Sequence, residues 1–371
     1  MTRVKRFIDT DVLTEAKNRI RHIYDLFDQV VVAFSGGKDS LAVLHLVKEV
    51  QEELGITKPV NVIFRDEELI PDAVLDFVDE YRQLDWIRMR WFAVPLASNK
   101  FILGKSYHYL QWDPAREWIR PKPDHAITLK DLGLPEHTVL SQYEMDEVTA
   151  SVFKGRVAIL NGIRAAESIV RWQASTVKLN ENYINSTKTK KASLVKPIFD
   201  WQENDIFRYF YDRGIRYCPH YDAQVWAGQA LRVSTPVHAE NAKQIGKLRE
   251  TSPQFYDQVM ALFPEMLVQE RYWGELDIKG QRAQYAQDLD GVQRWIEENI
   301  DDPHQLELAL SRLAGVRTAT KVDPEGYPVE FVLQQFITGA YKRRITAFPK
   351  SKRTKSMQEA MDRARDAAAD A

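Results

Sequence analysis

An apolar strand that runs directly into a glycine-rich turn and a helix is the feature that most constrains this chain. Val30-Val31-Val32-Ala33-Phe34 is followed by Ser35-Gly36-Gly37-Lys38-Asp39-Ser40, and we predict a helix that starts near Leu41. Glycines let backbone N–H groups close on an anion, and a helix N-terminus adds unpaired donors and the positive end of its dipole. Ser35, Lys38 and Ser40 supply further donors. The turn therefore predicts a phosphate-binding loop.

The spacing of this turn separates it from two common phosphate loops. It lacks the G-x-x-x-x-G-K-[ST] pattern of P-loop enzymes, and it lacks the G-x-G-x-x-G pattern of dinucleotide-binding folds. A different phosphate loop is indicated, and a nucleotide is its expected ligand.

A second apolar run, residues 157–160, is followed by a segment with glycine and arginine at positions suited to an anion. Gly162 permits close backbone approach, and the planar guanidinium groups of Arg164 and Arg171 can bind oxyanions through two donors. The alternative is that Glu167 and Arg171 form an ordinary exposed i,i+4 pair, which contributes only a few tenths of a kcal/mol.

Alternating strands and helices predict an α/β fold with a doubly wound, mainly parallel sheet. In such sheets ligands bind beyond the carboxyl ends of the strands. This rule brings residues 35–40, 65–68 and 162–164 to one rim. Asp39 and Asp66 are then the first candidates for a Mg²⁺ site, although Glu67 and Glu68 compete and surface carboxylates often bind nothing.

A third block, residues 196–207, is predicted to have a mainly structural role. Asp200 and Glu203 predict a capping box for a helix that ends at Gly214. Residues 215–222 follow and include Cys218, the one cysteine of the chain.

The three blocks together resemble a known family. The S-G-G-K-D-S turn resembles the PP-loop of the ATP pyrophosphatase, or adenine nucleotide alpha hydrolase-like, superfamily. Residues 162–171 are similar to the G-x-R-x-x-[ED]-S-x-x-R element of its phosphoadenosine phosphosulfate (PAPS) reductase family, and residues 197–207 to the P-[IL]-x-x-W-x-x-x-D-[IV]-[WF] segment. The resemblance spans about residues 25–225. It is nearest to a long subfamily that is often encoded beside ParB-like proteins and shares an insertion like Trp112-Asp113-Pro114.

The resemblance implies a site and its ligands. ATP or PAPS is the expected substrate, Mg²⁺ the expected cofactor with Asp39 and Asp66 as ligands, and a ParB-like protein a possible partner. Lys38, Asp39 and Arg164 are the expected catalytic residues. The expected nucleotide-binding residues are Ser35, Gly36, Gly37, Lys38, Asp39, Ser40, Asp66, Gly162, Arg164 and Arg171.

The chain departs from the reductase pattern in its cysteine content. It has no E-C-G-[IL]-H segment, and one cysteine cannot supply an iron–sulfur cluster. We expect Cys218 to be a buried structural residue, with a sulfur carrier as the alternative. The departure favours adenylyl or sulfuryl transfer at the alpha-phosphate or attached sulfate. Thiol-dependent reduction, or a nucleotide-binding module acting with a ParB-like partner or nucleic acid, are the other readings.

Composition bounds the location and the partners. The chain has 371 residues, 44% of them hydrophobic, with a net charge of −2 and no apolar run of membrane-spanning length. We expect a cytoplasmic protein that does not enter a membrane. The basic stretch from 341 to 355 either contacts a nucleic-acid backbone or is a solvated tail.

The pattern along the chain predicts four parts: an N-terminal helix (1–28), a nucleotide-binding domain (29–234) with an insertion at about 100–145, a helical C-terminal domain (235–348) and a basic, Ala-rich tail (349–371). The insertion is rich in aromatic and basic residues. Such residues either stack nucleic-acid bases or pack onto the rim of the sheet.

Overall fold

A six-stranded sheet forms the centre of the chain. The computed structural model describes residues 8–348 except 168–170, 172–180, 188, 277, 301 and 338. The strand order is β3-β2-β1-β6-β8-β7, and every neighbouring pair is parallel except β7 with β8. The strands of this sheet are β1 Gln29–Ala33, β2 Val60–Arg65, β3 Ile87–Phe92, β6 Val157–Leu160, β7 Ile184–Ser186 and β8 Ala192–Val195. The predicted doubly wound α/β fold is confirmed.

Both faces of the sheet are buried, which explains why its strands are continuous apolar runs. Along β1, Val30 and Val32 pack into one core cluster, and Val31 packs into the cluster on the opposite face. Helices α1, α2, α3 and α5 contribute to the first cluster and α4 to the second. The helices are α1 Val12–Leu26, α2 Lys38–Glu53, α3 Asp72–Arg82, α4 Gln142–Ser151, α5 Glu203–Arg213 and α6 His220–Trp226.

Local capping sets where these helices begin. The Asp11 carboxylate accepts hydrogen bonds from the N–H groups of Leu13 and Thr14 and so caps α1. Helix α2 begins at Lys38, inside the glycine-rich turn and three residues before the predicted start.

The capping box of α5 corrects one prediction. It is formed by Gln202 and Asp205, not by Asp200 and Glu203. The Asp200 carboxylate is instead held by the Arg19 guanidinium of α1, at 2.8 and 2.7 Å. Because two charged donors outcompete one backbone N–H, Asp200 ties α1 to the segment before α5.

A hairpin and an irregular segment form the insertion. Strands β4 Leu96–Ile102 and β5 Lys105–Gln111 pair antiparallel around Leu103 and Gly104, which both have positive φ, as type I′ turns require. Beyond β5, the fully buried Trp112 donates from Nε1 to the Asp66 carbonyl oxygen at 2.7 Å. Trp112 therefore packs onto the sheet rim, whereas Tyr107 is exposed and Tyr109 packs against the helices that follow the sheet.

Four further helices follow α6, and part of their core lies against the hairpin. They share an apolar cluster with Leu69 and Tyr109. Residues 239–251 form two short helices separated by the 3-10 turn Ile245–Lys247. The first compact unit of the chain ends at Arg271, whereas the sequence pattern suggested a boundary near 235. The helices are α7 Ala239–Ala242, α8 Leu248–Thr251, α9 Pro253–Leu262 and α10 Met266–Leu276.

The second compact unit begins at Tyr272, and its described regular elements are helices. Its core is built around Trp295, Leu313 and Phe336. The helical run is interrupted at residues 286–288, because the Asp288 carboxylate caps a new helix by accepting from the Gly291 N–H at 2.6 Å. The helices are α11 Ile278–Tyr285, α12 Leu289–Asn299, α13 Pro303–Val322 and α14 Val329–Ile337.

The basic and Ala-rich tail, residues 349–371, lies outside the described residues. Across the described part of the chain, no helix combines the length and apolar character that crossing a membrane requires.

Candidate nucleotide site

A cavity of about 580 Å³ opens at the carboxyl ends of β1, β2 and β6. This is the rim that the sequence predicted. The cavity wall brings together most of the predicted site residues, namely Ser35, Gly37, Lys38, Asp39, Ser40, Gly162, Arg164 and Arg171. Gly36 and Asp66 are not part of the wall.

The loop between β1 and α2 is held by its own hydroxyl groups. The Ser35 N–H donates to Ser40 Oγ at 3.1 Å, and Ser40 Oγ donates to the Gly37 carbonyl oxygen at 3.0 Å. Gly36 has a φ of +74°, and a Cβ there would lie 2.9 Å from Cγ1 of Val74. Gly36 thus shapes the loop from a position outside the cavity wall.

Tyr221 of α6 supports the start of α2, and sequence reasoning did not assign it to the site. Its Oη accepts a hydrogen bond from the Lys38 N–H at 2.8 Å. Burial raises the pKa of this phenol above its ordinary value, so it stays neutral at physiological pH. Tyr221 therefore satisfies one of the donors that a helix N-terminus leaves unpaired and fixes the direction of the helix.

The Lys38 ammonium lies in a cage of oxygens. Only 5% of the residue is exposed, and Nζ donates to the Leu231 carbonyl oxygen at 3.0 Å. Nζ also lies 3.2 Å from a carboxylate oxygen of Glu203 and 3.5 Å from one of Asp39. The cation is therefore held at the cavity wall, where an incoming anion could replace one of these oxygens.

Arg164 reaches the same loop from the end of β6. Its Nε lies 2.5 Å from Oδ1 of Asp39, and only 6% of the residue is exposed. Gly162 makes this approach possible, since a Cβ there would lie 2.5 Å from the carbonyl carbon of Asp39. The predicted close approach at Gly162 thus has a specific cause, which is the contact with the first turn of α2.

Arg171 pairs with Glu167 on the cavity wall. The two residues form the i,i+4 ion pair that the sequence allowed, and both line the cavity. Burial lowers the pKa of its guanidinium, with further lowering from Arg232 and Arg164. Several cations thus crowd this part of the cavity, as expected of a site for a highly charged anion.

The acidic run after β2 has a different role from the one the sequence suggested. Asp66 accepts from Trp91 Nε1 at 2.9 Å and pairs with Arg120 at 2.5 Å. Glu68, which is fully buried, pairs with both terminal nitrogens of Arg116 at 2.7 and 2.6 Å. These carboxylates hold the insertion against the sheet.

Glu67 is the acidic residue of this run that lines the cavity. Burial raises the pKa of its carboxyl above the ordinary value, and the charge of Asp66 adds to that effect. Among the described residues, no group of three or more His, Cys, Asp or Glu side chains is placed to hold a metal ion. Mg²⁺ usually needs only one or two carboxylates with substrate phosphates. Asp39 is a carboxylate on the cavity wall, but its oxygens lie 2.5 Å from Arg164 Nε and 3.5 Å from Lys38 Nζ, so a metal ion would have to displace these cations.

Cys218 lies in the core beside α3. It is fully buried, with Sγ 3.7 Å from the Ala73 carbonyl oxygen, and it is not part of the cavity wall. Burial raises the pKa of its thiol to about 11. A neutral, enclosed thiol agrees with the structural role that we expected.

Arg65, which the sequence placed on this rim, also lines the cavity, as do Glu203 and Arg232, which sequence reasoning did not select as site residues. Arg232 comes from residues 227–238, which run across the cavity without regular secondary structure and are called the strap below. No phosphate-loop pattern marks these positions. Their role follows only from the tertiary arrangement.

Comparison with known proteins agrees with this architecture. The model of the phosphoadenosine phosphosulfate reductase domain matches residues 29–98 and 143–259, which together make up half of the chain. The unmatched residues between them contain most of the hairpin and the irregular segment after it.

Two relatives align with a large part of the chain. The Escherichia coli K12 protein YbdN, described as uncharacterized, is 29% identical over 233 residues, 60% of this chain and 57% of YbdN. The chain thus spans little more than half of that relative. Adenosine 5'-phosphosulfate reductase of Staphylococcus epidermidis is 21% identical over 252 residues, 66% of this chain and 88% of the reductase.

Solved structures with similarity to the chain include two fungal enzymes. Phosphoadenylyl-sulfate reductase of Candida auris, in a phosphate complex, has a TM-score of 0.33 and 15% identity, covering 56% of this chain and 84% of that one. FMN adenylyltransferase of Candida glabrata has a TM-score of 0.39 and 14% identity, covering 60% and 63%. The family match, together with the phosphate loop and the sheet that carries it, assigns this chain to the phosphoadenosine phosphosulfate reductase family of the PP-loop superfamily.

Proposed function

We propose that this protein is an enzyme that binds ATP or an adenylyl-sulfate nucleotide in the cavity above β1, β2 and β6, and that it acts at the alpha-phosphate or the attached sulfate. One observation carries the proposal: the N-terminus of α2, the Lys38 ammonium and the Arg164 guanidinium meet on one cavity wall. A volume of about 580 Å³ lies within the usual range for small-molecule sites.

The chemistry follows from charge. With ATP, Lys38 and the α2 N-terminus would stabilise the departing pyrophosphate while an acceptor attacks the alpha-phosphate. With an adenylyl sulfate, Arg164 and Arg171 would hold the sulfate or 3′-phosphate end while a sulfur or oxygen nucleophile attacks. Mg²⁺, when bound, would neutralise charge on the phosphate oxygens, and Asp39 is the residue that would hold it.

Group transfer is better supported than thiol-dependent reduction. None of the described residues on the cavity wall is a cysteine, and Cys218 is enclosed in the core. Reduction would therefore need a thiol from another molecule. Transfer needs only an acceptor that can reach the alpha-phosphate or the sulfate. A ParB-like partner stays a prediction from the sequence.

Calorimetry with ATP, adenylyl sulfate and PAPS tests the binding step. We expect Lys38→Ala to weaken binding of at least one nucleotide by about 10- to 100-fold, because a charge-assisted contact contributes roughly 1.5–3 kcal/mol. Lys48→Ala is the matched control, since Lys48 lies on the same helix and pairs with Glu52. Equal affinities of the two variants for all three nucleotides would contradict the site.

Mass spectrometry of the reaction products tests the chemical step. Pyrophosphate from ATP indicates adenylyl transfer, and sulfite from PAPS in the presence of an added dithiol indicates reduction. Recovery of every nucleotide intact, with a panel of amine, hydroxyl and thiol acceptors, would contradict an enzymatic role and leave a nucleotide-binding module.

A further inference from the structure

A second, smaller cavity lies beside the first. Its volume is about 160 Å³, too small for a whole nucleotide, and its wall includes residues of α6, the strap and the helices that follow. Ala230, Arg232 and Ser234 line both cavities. The strap thus separates two adjacent compartments.

The two compartments differ in charge. The wall of the larger cavity mixes Lys and Arg side chains with four carboxylates, namely Asp39, Glu67, Glu167 and Glu203. The described wall of the smaller cavity contains Arg232 and Lys243 but no Asp or Glu, and amide side chains supply most of its other polar groups. Such a lining has cationic side chains without carboxylates to balance them, and it favours anions.

His220 adds a buried donor to the smaller cavity. Only 5% of the residue is exposed, and no described residue forms a hydrogen bond with its ring. Burial lowers the pKa of His220 to about 4, so the ring is neutral at physiological pH and carries one N–H donor and one acceptor. Neither ring nitrogen is among the buried atoms that lack a hydrogen-bond partner, so the ring N–H is open to a ligand or water in the cavity.

Two side chains from outside the strap hold its backbone, including that of Arg232, in a defined position. The buried Gln224 side chain donates to the Arg232 carbonyl oxygen at 2.6 Å and accepts from the Arg232 N–H at 3.0 Å. Lys247 Nζ donates to the carbonyl oxygens of Ala227 and Gly228 at 3.0 and 2.9 Å. In the described part of the chain, no carboxylate lies within ion-pair distance of the Arg232 guanidinium.

We propose that the smaller cavity binds a small oxyanion, such as a sulfate, sulfite or phosphate group, through the Arg232 guanidinium and the His220 ring N–H. Arginine presents two parallel donors that match such anions, and a neutral histidine adds a third donor. The proposal rests on the proposed function only in taking the larger cavity as the nucleotide site. The oxyanion is either a free anion that enters or leaves the reaction, or a group carried by the nucleotide itself.

The test uses the full chain labelled with ¹⁵N-histidine, at constant ionic strength and with saturating AMP in the larger cavity. Sodium sulfate, sulfite and phosphate are titrated while the ring signals are followed, and His220→Gln identifies the His220 signal. We expect that signal to shift saturably with at least one anion. Arg232→Gln should weaken this anion about tenfold or more, whereas Arg208→Gln, which removes an exposed arginine of α5, should not.

A second titration separates the sources of the oxyanion. Adenosine 3′,5′-bisphosphate that shifts the His220 signal and excludes the inorganic anion indicates a nucleotide-borne group, and lack of competition indicates a free anion. No shift of the His220 signal with any of these ligands overturns the proposal, as does equal affinity of the Arg232→Gln and Arg208→Gln proteins.

The failures of the two proposals are distinguishable. If ATP, adenylyl sulfate and PAPS all fail to bind, the proposed function fails, and the anions are then titrated in the Lys38→Ala protein to keep them out of the phosphate loop. If at least one of these nucleotides binds in a Lys38-dependent manner and His220 does not respond, only the oxyanion site fails.

Discussion

Arg164 is proposed to contact both the phosphate loop and a bound nucleotide. Its Nε is committed to Asp39, and we infer that its two terminal nitrogens bind the anion. We expect Arg164→Lys to weaken binding of the sulfate- or phosphate-bearing nucleotide about tenfold, because an ammonium cannot bond Asp39 and the ligand in one plane. Calorimetry measures the loss.

Arg171→Lys provides the comparison for this prediction. Its pairing with Glu167 needs a charge rather than a planar group, so we expect a smaller loss of affinity. Equal losses in the two variants, or none in Arg164→Lys, would return Arg164 to a structural role.

Cys218 is expected to be chemically inert. Its pKa is raised by burial from an ordinary value of 9.0 to about 11, which lowers the thiolate fraction at pH 8 by about a hundredfold. We predict slow alkylation by iodoacetamide in the native protein, fast alkylation in urea, and substantial retained turnover in Cys218→Ser. Folded Cys218→Ser protein with no turnover, and sulfite formed only by the wild type, would favour thiol-dependent reduction.

At the level of elements, the acidic run after β2 binds the insertion to the sheet. Glu68→Ala would leave Arg116 and the Trp112 N–H without their buried acceptor. We expect the free energy of unfolding to fall by about 3 kcal/mol, as for other broken buried pairs. Urea denaturation measures the change.

Glu117→Ala is the control, because Glu117 is exposed and belongs to the same segment. A change within about 0.5 kcal/mol is expected there. If Glu68→Ala is equally mild, the insertion does not depend on this ion pair.

The same elements show what the sequence could predict. The strands β1, β2 and β6 were recognisable because apolar residues run through both buried faces, and their order along the chain predicted the rim. The hairpin β4–β5 was not, since its alternation is weak and its turn lacks the usual Asn-Gly pair. Strand β7 has three residues, too few for a periodicity.

The residues of the candidate site also differ in whether the sequence could predict their position. The phosphate loop and Arg164 are local to strand ends, where pattern and position agree. Asp66 is directed away from the cavity by Arg120, and Tyr221 and Arg232 enter it from α6 and the strap. Each of these three placements depends on a contact between distant parts of the chain, which no local pattern encodes.

At the level of the whole molecule, charge is nearly balanced at −2, so any affinity for nucleic acid must be local. We predict that a chain ending at Phe348 keeps its nucleotide affinity and has a lower salt-sensitive affinity for DNA or RNA, because four of the seven basic residues between Tyr341 and Lys355 lie after Phe348 and no acid lies in that stretch. Filter binding at two salt concentrations measures this. Absence of binding in both proteins would reject the nucleic-acid role.

The contact between Lys38 and the Leu231 carbonyl oxygen links the phosphate loop to the strap. If a bound phosphate replaces the Leu231 carbonyl oxygen as the partner of the Lys38 ammonium, the strap loses one restraint. Nucleotide binding and movement of the strap are then linked by a coupling free energy. Such coupling is reciprocal. A molecule that stabilises the strap in its present position must lower the affinity for the nucleotide, and the nucleotide must lower the affinity for that molecule by the same factor. The strap is therefore a place from which affinity at the phosphate loop can be tuned without touching the loop.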